Sequence, residues 1–126
     1  MPWTFKSLLD GHDENIIKAW MDGLPASAKA KLNARVRHLA VTDQWPRQWV
    51  KKIQGYDRLF EMRVIHFNIQ YRPLGCYGPG AREFTFVLGA IEQGDRISPP
   101  NAFQTAEERC EDVRCGRSRV CDHSYQ

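Results

Sequence analysis

The stretch LFEMRVIHFNIQYR, residues 59–72, constrains the fold most strongly, because its apolar residues recur at every second position. Phe60, Met62 and Val64 alternate with charged neighbours, and a second alternation begins a few residues later. This spacing predicts half-buried β-strands, in which one face packs on a core and the other carries the polar side chains. It also places arginines inside strands, where a solvated loop would accommodate them at lower cost.

Helical and strand periods elsewhere in the chain complete the predicted order of elements. The elements are a strand from Trp3 to Leu8, a helix capped by Asp13, a helix over 25–41, strands over 59–66, 69–74 and 82–91, and a helix that begins in SPPNAF. In the last strand, Phe84, Phe86 and Leu88 are predicted to share one face. The order predicts an α+β domain in which the helices, an N-terminal helical hairpin and a C-terminal helix, all pack on one face of a small, mainly antiparallel sheet.

Length and composition bound the remaining possibilities. The 126 residues fit one domain over residues 1–116, followed by a polar, loosely held tail over residues 117–126. No apolar run is long enough to span a bilayer, and the N-terminus lacks a secretory pattern, so we predict a cytoplasmic protein without a membrane partner. The net charge of +3 is compatible with RNA or an acidic partner.

Four cysteines leave two interpretations open. They are Cys76, Cys110, Cys115 and Cys121, and the last three share the C-terminal segment with His123. In a cytosolic chain free thiols are favoured over disulfides. A zinc-stabilised interaction module is the alternative, but the spacings are wider than the tight C-x-x-C pair of structural zinc sites. We therefore predict no metal and no cofactor.

The strand arginines are the candidates for a binding site. Alternation places Arg63 and Arg72 on the face away from the helices, where Arg63→Ala with Arg72→Ala should leave the fold intact. Lys51 and Lys52 come from the preceding loop, and Arg82 opens the last strand. Clustered cations repel one another unless an anion lies between them, and arginine matches the oxygens of a phosphodiester.

A plainer interpretation remains open. The same arginines could cover the solvated side of an antiparallel sheet, paired with Glu61 and Glu83. Charged side chains on such a face are common.

Three blocks of sequence, in this order and at these spacings, resemble the RelE/ParE superfamily of bacterial toxins. The blocks are AWMDGLPASAKAKL, then VKKIQG, then LFEMRV with YR behind it, and they span roughly Ile16 to Gln93. The likeness is greatest to the phage-derived, HigB-like branch of the superfamily. It implies the toxin of a type II toxin–antitoxin pair, with a small sheet backed by a helical pair.

The resemblance also implies an activity and its partners. Many members are metal-independent ribonucleases that cut messenger RNA, often on the ribosome, and a cognate antitoxin protein holds them silent. The RNA 2′-hydroxyl would attack the adjacent phosphate while basic side chains stabilise the developing charge. By matching position, Arg63 and Arg72 would clamp the scissile phosphate, and Lys51 and Lys52 would neutralise the RNA backbone.

The sequence departs from the HigB-like pattern at the end of the last long strand. That branch continues with a histidine and basic residues, whereas this chain reads VLGAIEQGD. His123, with Asp122 and Tyr125 beside it, is the replacement candidate for proton transfer. Further candidates near the site, without a firm counterpart in the family, are Tyr77 and Arg82 as RNA-binding residues, and His66.

The missing basic segment keeps a second function open. A protein of the same fold could bind without cleaving, either as a topoisomerase inhibitor or as a repurposed phage accessory protein. We predict the ribonuclease toxin and retain this non-catalytic binder as the alternative.

Overall fold

Residues 2–126 are described by a computed structural model, and within them the chain forms three helices and eight strands. The helices are α1 (Ile16–Asp22), α2 (Ala26–Ala40) and α3 (Ala102–Arg114). The strands are β1 (Thr4–Leu8), β2 (Val50–Lys52), β3 (Phe60–Met62), β4 (Val64–His66), β5 (Ile69–Tyr77), β6 (Glu83–Gln93), β7 (Arg96–Ser98) and β8 (Val120–Asp122). The predicted α+β class is confirmed.

One mostly antiparallel sheet holds all of these strands. Its order is β2-β3-β5-β6-β1-β8, with β4 beside β5 and β7 beside β6, and β1 runs parallel to β6. The prediction of a small sheet is wrong, because β2, β7 and β8 were not predicted. Each has three residues, too few for a period-2 pattern to be recognised in the sequence.

Helices cover both faces of the sheet. The pair α1 and α2 packs on one face, in a core that includes Leu32 and Tyr71. Helix α3 packs on the other face, over Leu74 and Val87. The prediction that the helices share one face is wrong, because an amphipathic helix pattern specifies a buried side and not the sheet face that covers it.

A β-bulge between β5 and β6 shifts the alternation of β6. Leu74 pairs with Leu88, whereas the next residue, Gly75, pairs with Phe86. Val87 is the extra residue of the bulge. Because it shifts the alternation by one residue, every later side chain of β6 lies on the face opposite to the predicted one. Phe86 therefore lies in the α1–α2 core and Leu88 in the α3 core. The prediction that these two share a face is wrong.

The start of α1 differs from its prediction. The N-cap is Asn15, whose side-chain oxygen accepts a hydrogen bond of 2.9 Å from the backbone N–H of Lys18. Asp13, the predicted cap, lies two residues earlier in a turn, with a φ of 60°.

The C-terminal segment is part of the sheet. Strand β8 pairs antiparallel with β1, and the N–H of His123 donates to the carbonyl of Phe5 over 2.9 Å. The prediction of a loosely held extension is therefore wrong for these residues. Its polar composition concealed a strand whose partner is distant in the sequence.

None of the helices in residues 2–126 is long and apolar enough to cross a bilayer.

Candidate functional site

A buried carboxylate joins the two predicted site arginines. The side chain of Glu61 is 1% exposed, and its Oε1 accepts a hydrogen bond of 3.1 Å from Nη2 of Arg63. Its Oε2 accepts from Nε of Arg72. Arg72 is 11% exposed and also donates to Glu92, so its guanidinium lies between two carboxylates. The arrangement forms an ion network of alternating sign within the sheet.

This network revises the predicted clamp. Arg63 and Arg72 do share one face and come together, as the alternation predicted. The anion between them is the protein's own Glu61, the pairing considered in the plainer interpretation. Their surroundings also differ from prediction, because α3 covers this face and the Arg72 guanidinium lies 5.4 Å from the ring centre of Phe103. Arg72 is consequently a structural residue, whereas Arg63 still reaches solvent.

Two adjoining cavities open beside β2 at the edge of the sheet. Their volumes are about 390 and about 320 Å³, and both are lined by Gln48, Trp49 and Arg63. We define the cationic groove by the positive side chains that line the two cavities: Lys31, Arg35, Arg47, Lys51 and Arg63. Glu61 lines the larger cavity, but both of its oxygens already accept from arginines, so the groove keeps an excess of positive charge.

Helix α2 and the sheet hold the groove together through Trp49. The guanidinium of Arg35 lies 4.6 Å from the ring centre of Trp49, and the ring of His38 meets the same indole edge-on at 4.9 Å. Arg35 also donates to the carbonyl of Arg63 over 3.2 Å, and Lys31 donates to the carbonyl of Ile65 over 2.6 Å. These contacts fix the helix cations against Arg63, which links β3 to β4, and against β4 itself.

The paired lysines of β2 diverge. Lys51 is opposite Glu61 and Lys52 is opposite Phe60 in the β2–β3 ladder, so their side chains lie on opposite faces. Lys51 lines the cationic groove. Lys52 lies on the α1–α2 face with its ladder partner Phe60, which packs against that core. The prediction that both reach the same surface is wrong, because these residues form a strand and not a loop.

His123 lies on the wrong face for the predicted chemistry. It is 6% exposed within the α1–α2 core, where Nε2 is 2.8 Å from Oδ1 of Asn33 and the ring packs against Phe86. Its Nδ1 has no hydrogen-bond partner among residues 2–126. Burial, reinforced by the charge of Arg37, lowers the pKa of His123 to about 4. Proton transfer by His123 at Arg63 is therefore excluded by position.

The other predicted partners of the clamp are elsewhere. Arg82 pairs with Asp43 and stacks on Trp3 at 4.7 Å. It precedes β6, eight residues from the position opposite Arg72, which corresponds to roughly 25 Å along a strand. Tyr77 packs in the same aromatic cluster, with its ring centre 5.4 Å from that of Trp3.

The remaining candidates also lie apart from the groove's centre. His66 faces α2, with Nε2 2.9 Å from the hydroxyl of Ser27. Asp122 is hydrogen-bonded to Lys6, and the ring of Tyr125 lies against that of His123 and the guanidinium of Arg37.

The cysteines are all free thiols. Cys76 on β5 and Cys110 on α3 are buried, and a hydrogen bond between their thiols, together with burial, raises the pKa of Cys110. Cys115 is exposed and Cys121 belongs to β8. Among residues 2–126, no three or more His, Cys, Asp or Glu side chains are grouped so that they could hold a metal ion.

Comparison of the chain with protein-family models, with curated protein sequences and with solved structures gave no match.

Several groove residues were absent from the predicted site, although the sequence contained a signal for some. Lys31 and Arg35 are four residues apart on a predicted helix, and that spacing places two side chains on one helical face. Arg47 lies between Trp45 and Trp49, a mixture of basic and aromatic residues typical of nucleic-acid surfaces. Which sheet edge these residues approach depends on β2, which was not predicted.

Proposed function

We propose that this protein binds single-stranded RNA in the cationic groove, and that it does so as a toxin of the RelE/ParE type. The observation that carries the proposal is the convergence of five cationic side chains from α2, β2 and the loops on two adjoining cavities around Trp49. Phosphodiesters supply the matching negative charge, and exposed cations that line a groove track a nucleic-acid backbone. The toxin assignment rests on the sequence resemblance.

Cleavage of the bound strand is the activity that the resemblance implies. In the groove, Lys51 and Arg63 are the cations that would stabilise charge on a phosphate undergoing attack. An acidic segment of an antitoxin would compete for the same cations and hold the toxin silent.

A second candidate, RNA binding without cleavage, is favoured by a specific observation. Arg72 is enclosed by Glu61 and Glu92, and His123 lies on the opposite face of the sheet. Glu61, the carboxylate that lines the groove, has both oxygens occupied by arginines, so neither oxygen is free to accept a hydrogen bond from a substrate hydroxyl.

Induced expression in bacteria tests the proposal and separates the two candidates. We expect the wild-type chain to arrest growth, and we expect Arg47→Glu with Lys51→Glu to relieve the arrest. The variant Lys52→Glu with Arg96→Glu makes the same change of charge at exposed residues outside the groove and should stay toxic. Fragmented messenger RNA in the arrested culture supports cleavage, and intact messenger RNA supports binding alone. Equal toxicity of both double variants would contradict the proposal.

A further inference from the structure

The turn between β4 and β5 carries an exposed aromatic side chain in an unfavourable backbone conformation. His66 pairs with Ile69, so Phe67 and Asn68 form a two-residue hairpin turn. Their φ angles are 50° and 65°, the sign that a type I′ turn requires at both positions. Asparagine and glycine adopt this conformation readily, whereas phenylalanine rarely does. Phe67 is nevertheless 84% exposed.

Neither packing nor turn geometry explains this phenylalanine. A residue that is 84% exposed contributes little to a core, and glycine would form the same turn with less strain. The ring of Phe67 makes a tilted contact with the ring of His66, and the two ring centres are 4.4 Å apart. That contact orients the ring while leaving most of it open to solvent. Strain retained at an exposed aromatic residue points to a ligand.

The tip of the hairpin adjoins the cationic groove. Ile65, two residues before Phe67, lines the smaller cavity together with Lys31, Arg35 and Arg63. Two residues of extended chain span at most about 7 Å, so Phe67 lies next to the lining of this cavity. An RNA strand held by the groove cations would therefore present a base at the hairpin tip.

We propose that Phe67 is a stacking platform for an unpaired nucleobase of the RNA bound in the groove. The inference rests on the proposed function and deepens it, because it makes the site selective for single strands. Bases in a duplex are already stacked, whereas an unpaired base offers a free face to an aromatic ring. The adjacent cations favour a polyanion over an uncharged apolar partner.

Binding of a fluorescent single-stranded RNA tests the inference, compared with the same oligonucleotide made abasic. For Phe67→Gly we expect about a tenfold weaker affinity for the intact RNA and unchanged affinity for the abasic one. Phe67→Trp should retain the affinity for the intact RNA. As the matched control, Val41→Gly removes another exposed apolar side chain, at the C-terminal end of α2, and should bind like wild type.

The denaturant concentration at the midpoint of unfolding distinguishes a binding role of Phe67 from a structural role. Because glycine tolerates a positive φ, Phe67→Gly should unfold at the same or a higher denaturant concentration than wild type. A lower midpoint would assign Phe67 to the fold and overturn the inference. Phe67-dependent sedimentation with anionic vesicles, with no Phe67 dependence of RNA binding, would also overturn it in favour of a membrane surface.

The outcome also distinguishes this inference from the proposed function. If Lys51→Ala weakens RNA binding and Phe67→Gly does not, the groove binds RNA and the platform is wrong. If wild type binds neither oligonucleotide, the proposed function fails and the platform fails with it.

Discussion

The two faces of the sheet bury polar side chains in opposite ways. On the α1–α2 face, His123 and Asn33 form a hydrogen-bonded pair within an apolar core, and the lowered pKa keeps the imidazole neutral. On the α3 face, Glu61 and Arg72 are buried as charges and neutralise each other. The neutral pair leaves one buried nitrogen, Nδ1 of His123, without a partner among residues 2–126, whereas removal of one charge from the network would leave another buried charge uncompensated. Cations available for a ligand therefore lie at the edge of the sheet.

Of the substitutions that distinguish the two faces, removal of the Glu61 carboxylate should lower the free energy of unfolding most. Glu61→Ala leaves Arg72 with Glu92 as its remaining carboxylate, although the arginine side chain is only 11% exposed. Breaking a buried ion pair from one side costs about 3–5 kcal/mol of the free energy of unfolding. Chemical denaturation measures this loss. Glu111→Ala removes an exposed partner of Arg114 and is the matched control, for which the midpoint should not move.

If Glu61→Ala unfolds at the same denaturant concentration as wild type, the α3 face does not depend on its buried charges. The proposed difference between the two faces would then be wrong. The same reasoning corrects the expectation that Arg63→Ala with Arg72→Ala leaves the fold intact. That double variant removes both arginines that neutralise Glu61, which is 1% exposed, and should also be strongly destabilised.

The buried, neutral imidazole of His123 should make the free energy of unfolding depend on pH. His123 has a pKa of about 4 in the folded chain and an ordinary value of 6.5, so the unfolded chain binds the extra proton between these values. The free energy of unfolding should therefore fall as the pH is lowered from 6.5 to 4, by up to about 3 kcal/mol. His123→Gln should flatten this part of the profile, whereas His12→Gln, at an exposed histidine, should retain it. Parallel profiles for His123→Gln and wild type would contradict the burial of a neutral imidazole.

A smaller effect is expected where α1 approaches the sheet. A Cβ added at Gly89 would lie 1.9 Å from Cδ2 of Trp20, so Gly89→Ala forces the indole to move. Overpacking of this kind costs about 1–3 kcal/mol, measurable by thermal unfolding. Gly11→Ala is the control, because a Cβ there meets no heavy atom within 4 Å. An unchanged midpoint for Gly89→Ala would show that the α1 contact is loose.

The sequence predicted the local elements better than their arrangement. The alternation of Phe60, Met62 and Val64 placed Glu61 and Arg63 on a common face, which the structure confirms. It contained no information on α3, whose position turned a solvated face into a buried one. The bulge at Val87 was equally hidden, because a single extra residue leaves the apolar run of β6 unbroken.

The candidate site was predicted only in part, for a related reason. Arg63 was identified from the alternation of its strand and Lys51 from the basic pair Lys51–Lys52, and both residues line the groove. His123 was misassigned because a polar segment gives no sign that it pairs with β1. Contacts between residues far apart in the chain, such as His123 with Asn33, are set by topology and leave no local pattern.

The most direct test of the cationic groove compares two neighbouring lysines with identical charge. Lys51 lines the groove and Lys52 lies on the opposite face, so Lys51→Ala and Lys52→Ala differ only in position. The measurement is the dependence of the single-stranded RNA association constant on salt concentration. We expect the slope of log K against log salt to lose about 0.7 in Lys51→Ala, the loss of one phosphate contact, and to stay unchanged in Lys52→Ala. Equal slopes for the two variants would contradict the account.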